Sequence, residues 1–125
     1  MIDVDKMQYK SSRWQDIFLF LKSKGYNIYS PSTKEGECKE KYIVLKNDGA
    51  TKHPSFSTMI ELYTVLCYVP KQNYSQLEAY VQQVKKDLKE LEPLIKPYGL
   101  ETASYYDDTI KAHMISIQYK NYKKM

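Results

Sequence analysis

Arginine is nearly missing from this chain. Arg13 stands alone among nineteen basic residues, and the rest are lysine. Guanidinium forks are what grip guanine edges and phosphates in pairs, so sequence-specific nucleic-acid reading is not expected. Cysteine is scarce too: Cys38 falls in a charged stretch and Cys67 in an apolar one, without the CxxC spacing of a metal site. Both are expected to be free thiols, with no disulfide. The four glycines, Gly25, Gly36, Gly49 and Gly99, are isolated punctuation, so no phosphate-cradling loop is present. The two histidines, His53 and His113, lie far apart in sequence and lack the close spacing of a local zinc motif. No apolar run approaches the roughly eighteen residues of a membrane span; among the longest is Ile17-Phe18-Leu19-Phe20-Leu21. The opening Met1-Ile2-Asp3-Val4-Asp5 carries acids where a signal peptide carries bases. A chain neither exported by the general route nor spanning a membrane is therefore expected.

What remains is one domain's worth of ordinary globular sequence. Of 125 residues, 42% are hydrophobic and 27% charged, with a net charge of +4, enough for a real core without staples. The one excess is tyrosine, with thirteen copies. Tyrosine joins apolar area to a hydroxyl and is enriched where proteins meet. Half-buried packing at the rim of the core is the plain alternative. The lysines at 120, 123 and 124 gather around Tyr122 and read as a solvated end or a weak phosphate contact.

Periodicity gives the elements. Residues 1–10 show none and read as a mobile or partner-ordered arm. Ser12 with Gln15 has the capping-box spacing, and Trp14, Ile17, Phe18 and Leu21 then mark one helical stripe that Gly25 ends. Tyr26–Tyr29 is a short strand, 31–41 an exposed loop and Lys41–Lys46 a second strand. Asn47-Asp48-Gly49 reads as a turn opening a long polar loop. The next strand runs to Val69. Ile60, Leu62, Thr64, Leu66 and Tyr68 share one of its faces, Met59, Tyr63, Val65, Cys67 and Val69 the other. Apolar character on both faces, interrupted by Glu61, marks it as a central strand or one covered on both sides. Ser75 with Glu78 has capping spacing again, and Leu77, Val81, Val84, Leu88 and Leu91 form the stripe of a helix ending before Pro93. Residues 94–109 read as an irregular connection. A last strand, 111–119, places His113, Ile115, Ile117 and Tyr119 on one face. The order α-β-β-β-α-β predicts a single α+β domain with helices on a small, mostly antiparallel sheet.

Chemistry is sought and little is found. Asp107-Asp108 has the residue types for acid–base or cation work, but adjacent acids before Thr109 fit a turn or cap. Cys67 and His113 could share a sheet as thiol and base, yet no third orienting group is marked. No enzyme, metal or cofactor is expected.

The layout Ser12-Arg13-Trp14-Gln15-Asp16-Ile17 through Gly25, the strand Tyr42-Ile43-Val44-Leu45 before Gly49, and the long Glu61–Pro70 strand before a helix and closing strand together resemble a known family. They resemble the tail terminator, or tail completion, proteins of long-tailed bacteriophages and of phage-tail-like bacteriocin particles, across roughly residues 11–120. The resemblance implies a structural virion protein, assembled in the host cytoplasm, that forms a hexameric ring on the finished tail tube. Such a ring ends tube polymerisation and meets the sheath or the head–tail connector, without catalytic residues, membrane or specific nucleic acid. Its expected contact residues here are Lys52, His53, Phe56, Tyr105 and Tyr106. Other readings are a different neck or head-completion part, a small nucleic-acid-binding module, or a small enzyme.

Overall fold

The computed structural model describes residues 13–52 and 58–124. The expected arm at 1–10, the Ser12 cap, His53 and Phe56 lie outside them. The described residues fold as two helices on one face of a mostly antiparallel six-stranded sheet, an α+β fold. The first helix, α1 (Arg13–Ser23), leads to β1 (Ile28–Tyr29), β2 (Tyr42–Lys52) and β3 (Thr58–Pro70). A 3-10 stretch (Lys71–Gln76) precedes α2 (Leu77–Leu88), which is followed by β4 (Lys96–Glu101), β5 (Tyr105–Asp107) and β6 (Ala112–Lys124). The sheet order is β1-β2-β3-β6-β4, with β5 pairing β6 beside β4. Only β1 and β2 run parallel; the other pairs are antiparallel.

Helix α1 buries Ile17 and Leu21, with Trp14 and Phe18 stacked at 5.0 Å beside them. It ends in a Schellman turn. Gly25 sits at φ +94°, its N–H donates to the Lys22 carbonyl at 3.0 Å, and the Tyr26 N–H reaches the Leu21 carbonyl at 3.3 Å. That positive φ is open to glycine and strained for other residues. The α2 stripe is the expected one, with Leu77, Val81, Val84 and Leu88 buried and Tyr80 beside them. Each such buried aliphatic side chain contributes about 1.5–3 kcal/mol through lost water contact. The capping spacing of Ser75 does not start this helix: a 3-10 stretch occupies 71–76, and Gln76 makes no side-chain cap.

Strand β3 is central, paired along its length by β2 and β6. Its odd residues Tyr63, Val65, Cys67 and Val69 are buried in the core beneath the helices with Ile43, Leu45, Ile117 and Tyr119. Its even residues lie on the opposite face. There a smaller cluster forms from Cys38, Tyr42 and Ala112, packed by Tyr29, Val44, Tyr68 and Ile110. The 31–41 loop is thus pinned at one point: Cys38 is buried, and its N–H donates to the Ile110 carbonyl at 2.7 Å.

Other expectations change as well: β6 runs on past Tyr119 to Lys124. Strand β2 does not turn at Asn47-Asp48-Gly49 but runs on to Lys52, with one extra residue between the Asn47–Tyr63 and Ala50–Glu61 pairs. The signal belongs to a β-bulge: Gly49 has φ +89°, and its N–H donates to Asn47 Oδ1 at 2.6 Å. The stretch 94–109, expected to be irregular, contains β4 and β5. Both take their pairing from β6, and a register shift between Pro97 and Glu101 hides β4 from any alternation test.

Candidate functional site

Tyrosine sorts by place. Tyr42, Tyr63, Tyr80 and Tyr119 are interior, while Tyr74, Tyr98, Tyr105 and Tyr122 are exposed. Burial raises the phenol pKa of the interior group, to about 12 for Tyr63 and further for Tyr42, Tyr80 and Tyr119, because the phenolate would have to sit in apolar surroundings. Tyr26, half-buried, is raised as well, first by desolvation and then by donating to Asp87 at 2.5 Å.

Exposed Tyr74 and Tyr105 and half-buried Tyr106 build a corner at one end of the sheet. Strand β5 pairs Tyr105 with Met114 and Tyr106 with His113. The His113 ring lies between two tyrosines, 4.6 Å from Tyr74 and 4.8 Å from Tyr106 between ring centres. Its Nε2 stands 3.2 Å from the Lys71 carbonyl, and the Tyr74 hydroxyl lies 3.1 Å from Ser104 Oγ. Tyr105 is 58% and Tyr74 53% exposed. The Tyr106 hydroxyl is shielded from solvent with no hydrogen-bond partner among the described residues. The Asp107-Asp108 pair beside this corner behaves as turn chemistry. Asp107 Oδ1 accepts from the Thr109 N–H at 2.9 Å, and Asp108 pairs with Lys111 at 3.4 Å.

The expected contact residues are not one patch. Tyr105 and Tyr106 lie together in this corner. Lys52 pairs with Met59 at the far end of the sheet, roughly 30 Å away at 3.3 Å per strand residue. A groove that the sequence does not announce lies between α2 and β4. It holds about 350 Å³ against Lys85, Lys89, Glu92, Pro97, Ile117 and Tyr119. A second hollow of about 360 Å³ adjoins Tyr74, Leu77, Thr102 and Ser104. The two share Glu101, which Lys85 holds in an ion pair. Residues from elements this distant leave no local motif to read.

Cys67 is wholly enclosed, its thiol pushed up to about 12 by burial, the opposite of what a thiolate nucleophile requires. Its register partner is Ile115, with His113 two residues further along β6. Among the described residues no group of three or more His, Cys, Asp or Glu converges on a common point, and no helix is long and apolar enough to cross a membrane. No protein-family model matches the chain, and no curated protein matches it.

Proposed function

We propose that the chain is a tail terminator subunit: a structural protein that closes into a hexameric ring on a phage or phage-tail-like tube, stops its growth and meets sheath or connector. The single observation that supports this reading most is the aromatic corner. Tyr74 and Tyr105 stand exposed at one end of a two-layer α+β sheet, beside the half-buried Tyr106 and the His113 ring. Such a surface suits contact with another protein, since tyrosine brings large area at small conformational cost and a polar tip for the rim. A closing head-to-tail ring requires two unlike patches on each subunit. The Tyr105 corner and the distant Lys52 end of β2 are the pair offered for that role.

The test is electron microscopy of tails assembled with the gene intact, deleted, or carrying Tyr105→Ala with Tyr106→Phe. Overlong tubes after deletion, and partly uncontrolled lengths in the double variant, are the expected result. Tails of uniform normal length without the gene would end this reading.

A further inference from the structure

The β2–β3–β6 register gathers lysines that the sequence keeps about seventy residues apart. Lys46 pairs with Thr64, which pairs with Gln118; Lys52 pairs with Met59, which pairs with Lys123. Lys120 stands opposite Leu62, and Lys124 opposite Thr58. One end of the sheet, made of 46–52, 58–64 and 118–124, carries five lysines against two acids, Asp48 and Glu61; Lys46 and Lys120 share the face of Thr64 and Leu62, where β4 adds Lys96 opposite Lys120. Both acids are engaged within the fold. Asp48 accepts from Thr64 Oγ1 and faces Lys46 at 3.5 Å, while Glu61 accepts from Asn121 at 2.8 Å and Tyr63 at 3.3 Å. The lysines keep a net positive field at this end, and Lys46 is 58% exposed.

Aromatic rings accompany the charge. The Lys120 ammonium lies 5.7 Å from the Tyr98 ring centre and 5.2 Å from that of Tyr122, and both rings are exposed. Lysines interleaved with exposed aromatic rings on a sheet are the physical basis of sequence-independent polynucleotide contact. Ammonium groups displace counterions from phosphates while rings offer stacking area. The lack of arginine forks on these strands fits binding without base readout.

We propose that this basic sheet end binds the phosphate backbone of nucleic acid without sequence preference in the free subunit, where a ring contact does not occupy the Lys52 end. Anionic proteins and lipids would also meet the charge, and a flexible single strand adds base stacking on the rings around Lys120.

The experiment measures binding of the full chain to a fluorescent single-stranded oligonucleotide, to the matching duplex and to anionic phosphatidylserine vesicles across a salt series. The logarithm of affinity should fall with that of salt at a slope of about −2 to −4, as expected for three to five phosphate contacts. Lys46→Gln, Lys120→Gln, Lys123→Gln and Lys124→Gln combined should flatten that slope by about two or more, with an unchanged melting temperature. Lys85→Gln with Lys86→Gln, on α2, should leave it alone. Tyr122→Leu should weaken single-strand binding more than duplex binding. Equal slopes in the parent and the quadruple variant would overturn the proposal. So would an equal loss in the α2 control, vesicle binding as tight as oligonucleotide binding, or no binding at low salt.

Discussion

A phenol enclosed in apolar packing resists ionisation, and that resistance is linked to stability. Tyr63, Tyr42, Tyr80 and Tyr119 all have pKa values raised by burial. In the unfolded chain each titrates near its ordinary value of about 10. The folded state therefore holds protons that the unfolded state has released, and stability falls with pH in that interval. The tyrosine contribution should be level just below pH 10 and decline above it, with the buried Cys67 thiol starting the decline from about pH 9. Tyrosinate absorbance from Tyr42, Tyr63, Tyr80 and Tyr119 should then appear together with unfolding; their ionisation near pH 10 in the folded chain would contradict the burial. Trp14 supplies a second test at this scale. Its Nε1–H donates to the Leu45 carbonyl at 2.9 Å, on a residue with no solvent exposure. Trp14→Phe keeps the stacking on Phe18 but leaves that carbonyl unmet, so a loss of about 1–3 kcal/mol is expected from denaturant unfolding.

At the scale of elements, the ends are as specific as the stripes. A Cβ added at Gly25 would meet nothing within 4 Å, yet the residue sits at φ +94°. Gly25→Ala should thus cost about 1–2 kcal/mol through backbone strain alone, read as a lower denaturation midpoint with an unchanged m-value. A neutral result would mean that the α1 turn relaxes to another conformation. Elements with a strong internal period were legible in the sequence: the α1 and α2 stripes, the two faces of β3, and the His113-Ile115-Ile117-Tyr119 alternation of β6. Those whose pairing comes from a neighbour were not. Strand β4 contains Pro97 and Gly99, poor strand formers, and exists because Lys96 and Pro97 lie against Lys120 and Tyr119. Asn47-Asp48-Gly49 carried a true left-handed signal, but local sequence does not distinguish a bulge from a hairpin turn. The chain continues as strand because Ala50, Thr51 and Lys52 find Glu61, Ile60 and Met59.

Across the whole molecule, the candidate surfaces were legible only in part. Adjacent Tyr105 and Tyr106 were readable as a contact pair, of which Tyr105 is exposed and Tyr106 half-buried. Their meeting with His113 and Tyr74, and the gathering of Lys46 with Lys120, depend on a register no local pattern encodes. That register also sets an order of events. The β2–β3 hairpin is local, whereas every β3–β6 pair joins residues more than forty positions apart. Loop closure of that length is slow compared with forming a hairpin or a helix. A growing chain leaving the ribosome therefore presents β3 with one hydrogen-bonding edge bare throughout the synthesis of α2, β4 and β5. The interval between making the middle of the sheet and completing it is when this protein most needs protection from its own kind.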